Sequence, residues 1–374
     1  MIAMQRRLSI NKGGQMIKEY LLLNWSLILI LSGFAVSLKE TVFLDKKTIR
    51  HYYILIITIF LLSLVVYEEF YLTDLGGYRS ARLVLMAIRY SATPFIIALI
   101  IYALARKLRW FVFIPAMILG LIDILSVFNG LVFGIGNNGE LIRGPLGYLP
   151  YVVVGLYSIF LIYILIARSN KQVVEMIPIA FLGFAFGSGL ILPFIYGKDY
   201  SRIFCSTIAI ALYVYYVFSI LQLAKKDSLT GLLNRQAYYA DIENNPENIT
   251  ALISLDMNGL KALNDNYGHK AGDEGLITLA ICIKRALKNR HTCYRVGGDE
   301  FVIICRRTSK EEMLQLVQAI RKNVSETEYS CSIGCSHITD GADSIDALLQ
   351  ESDEKMYEEK TGYYKETGKD RSRS

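Results

Sequence analysis

Seven long apolar stretches fill the chain up to Leu223, and they constrain the fold more than any other feature of the sequence. A helix needs about 20 apolar residues to cross a bilayer, and any one such stretch could instead be a buried helix of a soluble protein. Seven in succession predict a membrane region of seven helices. The stretches lie at residues 20–38, 51–67, 83–105, 110–128, 148–167, 174–196 and 203–222.

Charge divides the chain at the same place. The part up to Leu223 carries 19 Lys and Arg against 10 Asp and Glu, a net charge of +9, whereas the remainder carries 21 against 24. Lys and Arg typically flank membrane helices, which explains the basic excess of the apolar half. Because no basic stripe is interleaved with aromatic residues, we expect no nucleic-acid partner. The overall composition excludes a disordered chain, a collagen-like fibre and a small disulfide-rich scaffold.

The loop charges predict the orientation of the predicted membrane region. The loops after spans one, three and five are richer in Lys and Arg than the other loops, and the richer side is usually cytoplasmic. We therefore expect an outside N-terminus and a cytoplasmic C-terminal half. The basic residues of these three loops are Lys39, Lys46, Lys47, Arg50, Arg106, Lys107, Arg109, Arg168 and Lys171.

The segment before the first span opposes this orientation, because Arg6, Arg7, Lys12 and Lys18 favour an inside N-terminus. A translation start at Met16 would leave only Lys18 and remove the conflict. The mass of the natively expressed protein distinguishes a start at Met1 from a start at Met16.

Two ionisable residues, Arg89 and Asp123, lie inside predicted spans. Arg89 in span three and Asp123 in span four each lie less than two helical turns from the outer end of the span, and therefore at similar depth. Since the two spans are antiparallel neighbours, we expect an ion pair between these side chains. Charges within a membrane are costly and usually have partners. A ligand or signal site and a structural contact between helices explain the pair equally well.

From residue 227 to about 369 the pattern changes to short strands alternating with amphipathic helices. This predicts an α/β domain of about 140 residues with its own core. The predicted helices lie near 234–245, 271–289, 310–325 and 344–365. The predicted strands lie near 250–257, 292–297, 301–306 and 329–338.

Acidic and glycine residues meet at two points of this domain. Gly297-Gly298-Asp299-Glu300 forms the turn between two predicted strands, and Asp256 ends another strand. If that strand is central, the carboxylates of Asp256 and Asp299 come together, as Mg²⁺ bound to a nucleotide triphosphate prefers. The turn after Asp256 offers the backbone amides of Gly259 and Leu260, with Lys261, as a cradle for phosphates.

These motifs occur together with several others in a fixed order, and the C-terminal half resembles a GGDEF domain, the catalytic module of diguanylate cyclases. The further matching segments are Asp227-Ser228-Leu229-Thr230-Gly231-Leu232-Leu233-Asn234-Arg235, Gly268-His269, Ser332-Ile333-Gly334 and the run from Asp353 to Lys360. The resemblance implies a nucleotide-cyclase or palm-like α/β fold with a mostly antiparallel sheet. The expected divisions are 1–222 for the membrane sensory region, 223–226 for a short helical linker, 227–369 for the GGDEF domain and 370–374 for a tail.

The resemblance also implies residue roles. Asp256, Asp299 and the Met257 carbonyl would bind Mg²⁺, or Mn²⁺ as the alternative, with Glu300 near the metal. Glu300 would also assist deprotonation of the ribose 3′-OH. Asn264 and Asp273 would hydrogen-bond the guanine edge. The remaining implied substrate-binding residues are Gly259, Leu260, Lys261, Gly297, Gly298 and Lys360.

The implied function is condensation of two GTP into cyclic di-GMP with release of two pyrophosphates. One domain holds one GTP, so a homodimer through the GGDEF and membrane regions is expected, with cyclic di-GMP effectors downstream. The apolar half is similar to the seven-helix sensory regions of some bacterial histidine kinases, on its helix count, its short loops and Gly144-Pro145-Leu146-Gly147-Tyr148. The expected location is the cytoplasmic membrane of a bacterium.

Two other function classes are weighed against this one. A catalytically silent receptor would bind GTP and act through partner proteins, but the intact Gly-Gly-Asp-Glu turn, Asp256 and Lys261 argue against it. A seven-helix transporter with an appended regulator is disfavoured because the spans contain few polar residues.

The sequence departs from the family at two sites. The product-inhibition motif Arg-x-x-Asp aligns with Lys288-Asn289-Arg290-His291, which matches at neither end, so feedback through that site is not expected. Tyr364 stands where the family commonly has a phosphate-binding Arg, and the adjacent Lys365 is a candidate substitute.

Overall fold

The computed structural model describes residues 15–104, 110–168, 173–196, 198–341 and 344–367. Two compact units divide the chain, one up to Ile220 and one from Leu221 onward. The predicted loop residues Arg106, Lys107, Arg109 and Lys171, the segment 1–14 and the predicted tail 370–374 lie outside the described residues.

The N-terminal unit is helical. Its α-helices are α1 Gln15–Leu23, α2 Trp25–Glu40, α3 Lys46–Leu75, α4 Arg79–Leu104, α5 Ile114–Asn129, α6 Leu149–Arg168, α7 Val173–Tyr196 and α8 Lys198–Ala224. A 3₁₀ turn, Trp110–Phe113, precedes α5, and an antiparallel pair of short strands, β1 Phe133–Ile135 and β2 Leu141–Arg143, follows it.

Each of the seven predicted spans overlaps a helix of this unit, and the first overlaps both α1 and α2. Among the described residues, five helices are long and apolar enough to cross a membrane, and a sixth span results if α1 and α2, bent by 69°, count as one. The apolar part of α7, Met176–Leu192, is shorter than a span. The helical character of the region is confirmed, whereas seven membrane crossings remain a prediction.

The helical unit has a buried apolar interior and also exposes many apolar side chains on its outside. An interior group includes Phe34, Tyr52 and Tyr216, whose rings pack 4.9 to 5.8 Å apart between centroids. Other large apolar side chains, among them Ile118 and Leu156, are exposed. An exposed apolar surface of this extent is typical of contact with lipid or protein.

The expected ion pair between Arg89 and Asp123 is wrong. Arg89 on α4 pairs with Glu69 on α3, at 2.9 Å between Nε and Oε2. Asp123 is fully buried on α5, and its Oδ2 accepts a hydrogen bond of 3.0 Å from Ser91 Oγ on α4. Similar depth along two helices does not determine which side chains meet, and Arg89 finds its partner in Glu69, near the end of the long helix α3.

The C-terminal unit is a five-stranded sheet with helices on both faces. Its strands are β3 Leu233–Asn234, β4 Ile249–Met257, β5 His291–Arg295, β6 Glu300–Arg306 and β7 Cys331–His337, in the order β3-β5-β6-β4-β7. Its helices are α9 Arg235–Asn244, α10 Leu260–Tyr267, α11 His269–Ala286, α12 Lys310–Ser325 and α13 Ile345–Thr367. Of the strand pairs described, β3 with β5 is parallel and the others are antiparallel, so the predicted, mostly antiparallel sheet is confirmed.

Strand β4 lies between β6 and β7, and its side chains alternate between the two faces. Ile253 and Leu255 join the core beneath α11 and α12, whereas Leu252 joins a smaller core with Tyr238 of α9 and Leu348 of α13. Asp256 shares the face of Leu252 and therefore points toward α13.

The predicted helix over 271–289 begins earlier, at His269, and a separate helix α10 precedes it. Gly268 joins the two helices with φ of +84°, a conformation that favours glycine and breaks a continuous helix. Helix α10 is amphipathic, with Leu260 and Leu263 packed against the core, but its eight residues are fewer than the roughly 11 to 18 over which helical periodicity can be recognised.

Gly334 on β7 allows α13 to pack directly on the sheet. A Cβ at this position would overlap the carbonyl oxygen of Ser352 and the backbone nitrogen of Met356, both on α13. Backbone atoms of a packed helix cannot move aside as a side chain can, so the close approach requires glycine.

Gly334→Ala is therefore expected to lower the free energy of unfolding of the C-terminal unit by about 3 kcal/mol, since it overpacks backbone against backbone. Gly362→Ala is the matched control, because nothing lies within 4 Å of its added Cβ and alanine favours a helix. Pulse proteolysis of the full chain in urea measures both variants. Equal stability of the two would contradict this account of Gly334.

Candidate functional site

The end of β4 and the turn between β5 and β6 form the acidic part of the site. Asp256 lies opposite Glu300 in the antiparallel register of β4 and β6. The Met257 amide donates to the Asp299 carbonyl at 3.1 Å, which fixes the turn against the strand end. The structure therefore brings together the segments that carry Asp256, Met257, Asp299 and Glu300.

The two glycines of the turn differ in what they permit. A Cβ on Gly297 would lie 2.5 Å from Glu300 Oε2, so glycine lets the Glu300 side chain fold back over the turn. Gly298 has open space around it, and its carbonyl accepts two hydrogen bonds from Arg295, at 2.7 Å and 3.2 Å.

Asp256 is buried, and its closest charged partner is Lys360 on α13, at 2.7 Å between Oδ1 and Nζ. Burial raises the pKa of the Asp256 carboxyl to about 6; Lys360 opposes the rise, and Asp299 and Glu300 add to it. The site thus holds a carboxylate that needs a nearby cation to stay ionised.

Carboxylates at adjacent strand ends suit a divalent cation, because Mg²⁺ is commonly held by one or two carboxylates together with substrate phosphates. Within the described part of the chain, no three His, Cys, Asp or Glu side chains are close enough together to hold a metal by themselves. The donor set therefore fits a metal that arrives with further oxygen ligands.

A tight turn follows β4 and starts helix α10. Gly259 caps the helix with φ of +71°, which favours glycine, and Leu260 begins the helix. The preceding Asn258 is buried and accepts a hydrogen bond of 2.8 Å from Ser332 Oγ on β7. Lys261 is exposed in the first turn of α10.

Asn264 on α10 faces the start of α11. A Cβ at Gly272 would overlap the Asn264 Oδ1 atom, so glycine leaves room for the Asn264 side chain in its present position. That Oδ1 atom is buried and has no hydrogen-bond partner among the described residues. Asp273, next to Gly272, is exposed. The pair places an unused acceptor and an exposed carboxylate on neighbouring helices.

Tyr364 belongs to this site, although the sequence suggested only the adjacent Lys365 as a candidate substitute for the family's Arg. The Tyr364 hydroxyl accepts a hydrogen bond of 3.3 Å from the Gly259 amide, and its side chain is buried, whereas Lys365 is exposed. Lys360 and Tyr364 are four residues apart, so they share one face of α13. The spacing from Lys360 was a usable signal, but tyrosine lacks the charge that was sought.

A second missed contact ties the beginning of the unit to the glycine turn. Arg295 donates to Asp227 Oδ1 at 3.0 Å while its other nitrogens bind the Gly298 carbonyl. Burial raises the pKa of Asp227, but hydrogen bonds from Thr230 and Arg295 outweigh it and leave the pKa lowered. Asp227 opens a recognised motif and Arg295 lies two residues before the glycine turn, but their separation in sequence concealed the contact.

The pKa of Asp256 predicts a pH-dependent stability. A carboxyl whose pKa is higher in the folded state than in the unfolded chain destabilises the fold once it ionises, so stability falls as pH rises from 4 to 7. We expect Asp256→Asn to remove this loss. The change in unfolding free energy caused by the substitution should be more favourable at pH 7 than at pH 4 by about 1–2 kcal/mol.

Urea unfolding at both pH values measures this difference. Comparing each protein with itself at the two pH values cancels those effects of the substitution that do not depend on pH. A pH-independent effect of Asp256→Asn would contradict the raised pKa.

Comparisons with known proteins fit this geometry. Residues 224–365 match the family model described as "Diguanylate cyclase, GGDEF domain". A diguanylate cyclase of Vibrio cholerae is 33% identical over 153 residues, which cover 37% of this chain and 47% of that protein. Diguanylate cyclase DgcM of Escherichia coli K12 is 34% identical over 149 residues, covering 37% of this chain and 36% of that protein. The chain thus spans less than half the length of these relatives.

Among solved structures, the coiled coil and GGDEF domain of DgcB from Caulobacter crescentus, in complex with c-di-GMP, is 25% identical. The match covers 43% of this chain and 94% of that one, with a TM-score of 0.39.

Proposed function

We propose that the GGDEF domain formed by residues 224–365 makes cyclic di-GMP from two GTP, under the control of a membrane sensory region formed by the preceding helices. The observation that carries the proposal is the juxtaposition of Asp256, held by Lys360, with the glycine turn that bears Asp299 and Glu300. In this reaction the 3′-OH of one GTP attacks the α-phosphate of the other and pyrophosphate leaves.

Asp256, Asp299 and the Met257 carbonyl would hold Mg²⁺ or Mn²⁺, with Glu300 beside it. When bound, the metal neutralises charge on the phosphates and lowers the pKa of the attacking hydroxyl. Lys360 balances the charge of Asp256 in the structure. A second cation at Asp256 would release the Lys360 ammonium to face the phosphates.

The base and the phosphates would bind on either side of α10. Asn264 has a buried acceptor without a partner among the described residues, and Asp273 is exposed nearby, so the two can accept the paired N–H donors of the guanine edge. An adenine edge does not offer that pair of donors. The amides of Gly259 and Leu260, with Lys261, would hold the phosphates at the start of the helix.

Glu300 is the candidate general base, since it is exposed at the turn and lies opposite Asp256. A single domain supplies one GTP, so two domains must face each other, and we propose a homodimer. We further propose a multi-pass protein of the bacterial cytoplasmic membrane, with the N-terminus outside, the GGDEF domain in the cytoplasm and cyclic di-GMP effectors downstream. Cysteine accessibility in intact cells tests that orientation.

Glu300→Gln tests the catalytic proposal. We expect kcat to fall at least about 100-fold because the general base is lost, while GTP still binds. The assay detects cyclic di-GMP formed from GTP and Mg²⁺ by residues 224–374 fused to a dimerising leucine zipper. Glu247→Gln is the control, since Glu247 is exposed on the loop before β4.

Retained GTP binding by the unsubstituted protein without any cyclic di-GMP would support the alternative, a catalytically silent GTP-binding receptor. Full activity of Glu300→Gln would instead contradict only the role given to Glu300.

Tyr364→Phe tests the residue that the sequence argument missed. The hydroxyl accepts from the Gly259 amide, which leaves its own proton to donate to a phosphate oxygen. We expect KM for GTP to rise about 5- to 10-fold, the equivalent of roughly one hydrogen bond, with kcat within about twofold. Tyr267→Phe, an exposed tyrosine on α10, is the control. A loss of kcat at unchanged KM would contradict this role.

A further inference from the structure

A buried ion pair borders a cavity inside the helical unit. Glu69 on α3 and Arg89 on α4 are largely buried, with side-chain exposures of 6% and 15%. Replacing a buried ion pair by apolar residues is often neutral or stabilising, so packing alone does not explain the pair.

The geometry of this pair leaves hydrogen-bonding capacity unused. Nε and Oε2 lie at ion-pair distance, yet neither atom has a partner of hydrogen-bonding geometry among the described residues. The guanidinium also lies over two rings, 5.4 Å from the centroid of Phe70 and 4.9 Å from that of Tyr90. Arg89 is thus held in position by the charge of Glu69 and by two aromatic faces.

The adjoining cavity has a volume of about 90 Å³. Its polar end is formed by Arg89, Tyr90 and Tyr151, and its apolar wall includes Leu62, Leu190 and Phe204. At roughly 10–15 Å³ for each water, it has room for several waters or one small organic molecule. A cavity that is mostly apolar with a few polar groups at one end is typical of small-molecule sites.

We propose that this cavity binds a small uncharged molecule that has an apolar body and one hydrogen-bond-accepting oxygen, such as a ketone. The Arg89 guanidinium has only donors, and the Tyr90 and Tyr151 hydroxyls can donate as well, so an accepting oxygen suits all three groups at the polar end. Glu69 already neutralises Arg89, and a carboxylate ligand would place a second negative charge beside it in an apolar interior. Arg82 adds no cation to the lining, because its Nη1 donates to the Gly139 carbonyl at 3.0 Å.

The site connects to the helix that leads out of the unit. Phe204 lies on α8, which continues to Ala224, where the GGDEF domain begins. A ligand in the cavity contacts Phe204 and so acts directly on α8. This gives the buried pair a role in detecting a signal, one of the two explanations that the sequence had left equal.

Gly189 supplies a direct way to fill the cavity. An added Cβ would lie 2.5 Å from Phe204 Cε2, so Gly189→Ala must shift that ring, which lines the cavity. Gly187→Ala is the matched control on the same helix, because nothing lies within 4 Å of its Cβ. Val154→Leu, which adds one methylene to the cavity wall, is a second filling variant in case Gly189→Ala does not fold.

The experiment uses the full chain in phosphatidylcholine nanodiscs and follows thermal unfolding by the fluorescence of Trp25 and Trp110. The probes are 2-pentanone, pentanoate and cyclopentane at equal concentrations. We expect 2-pentanone to raise the unfolding midpoint by about 2 °C more than either other probe, in the unsubstituted protein and in Gly187→Ala. A filling variant should lose most of that shift.

An equal or larger shift of the unfolding midpoint with pentanoate contradicts the proposal that the ligand is uncharged. An equal shift with cyclopentane contradicts the role given to Arg89. A shift that persists in both filling variants overturns the site itself. The readout does not involve GTP, so the outcome is independent of the proposed enzymatic activity.

Discussion

The packing of α13 on β7 and β4 is the constraint on which the candidate active site depends. Gly334 lets the helix backbone reach the sheet, and this approach sets the depth at which Lys360 and Tyr364 meet the end of β4. One face of α13 thereby contacts the Asp256 carboxylate through Lys360 and the Gly259 amide through Tyr364. A shift of α13 by a fraction of an ångström would change both contacts together, so stability and site geometry are linked at one glycine.

The electrostatics of the site follow from that arrangement. Three carboxylates sit on two neighbouring strand ends, and the buried one is matched by an internal cation. Lys360 thus keeps the acidic cluster compatible with folding before any metal is present. The raised pKa of Asp256 shows that the match is incomplete, because burial outweighs the single ammonium.

Much of the C-terminal fold could be predicted because its signals are local. The apolar runs of β4 and β6, the glycine turn and the amphipathic pattern of α12 each fix an element without reference to distant residues. The sequence did not predict which residues, distant along the chain, contact one another in the fold. Arg89 with Glu69 and Arg295 with Asp227 depend on which faces of the packed elements meet, and residue types alone do not determine that. Likewise, Tyr364 was overlooked because a charge was sought where a hydroxyl makes the contact.

Within the C-terminal unit, Asn234 binds main-chain carbonyls at the end of α8 and just after it. Asn234 donates from its side chain to the Ala224 carbonyl at 2.7 Å and from its backbone to the Lys225 carbonyl at 2.8 Å. Every residue has a main-chain carbonyl, so these two hydrogen bonds do not depend on which side chains stand at positions 224 and 225. A helix of different sequence can therefore end at the same place in the C-terminal unit without loss of these hydrogen bonds.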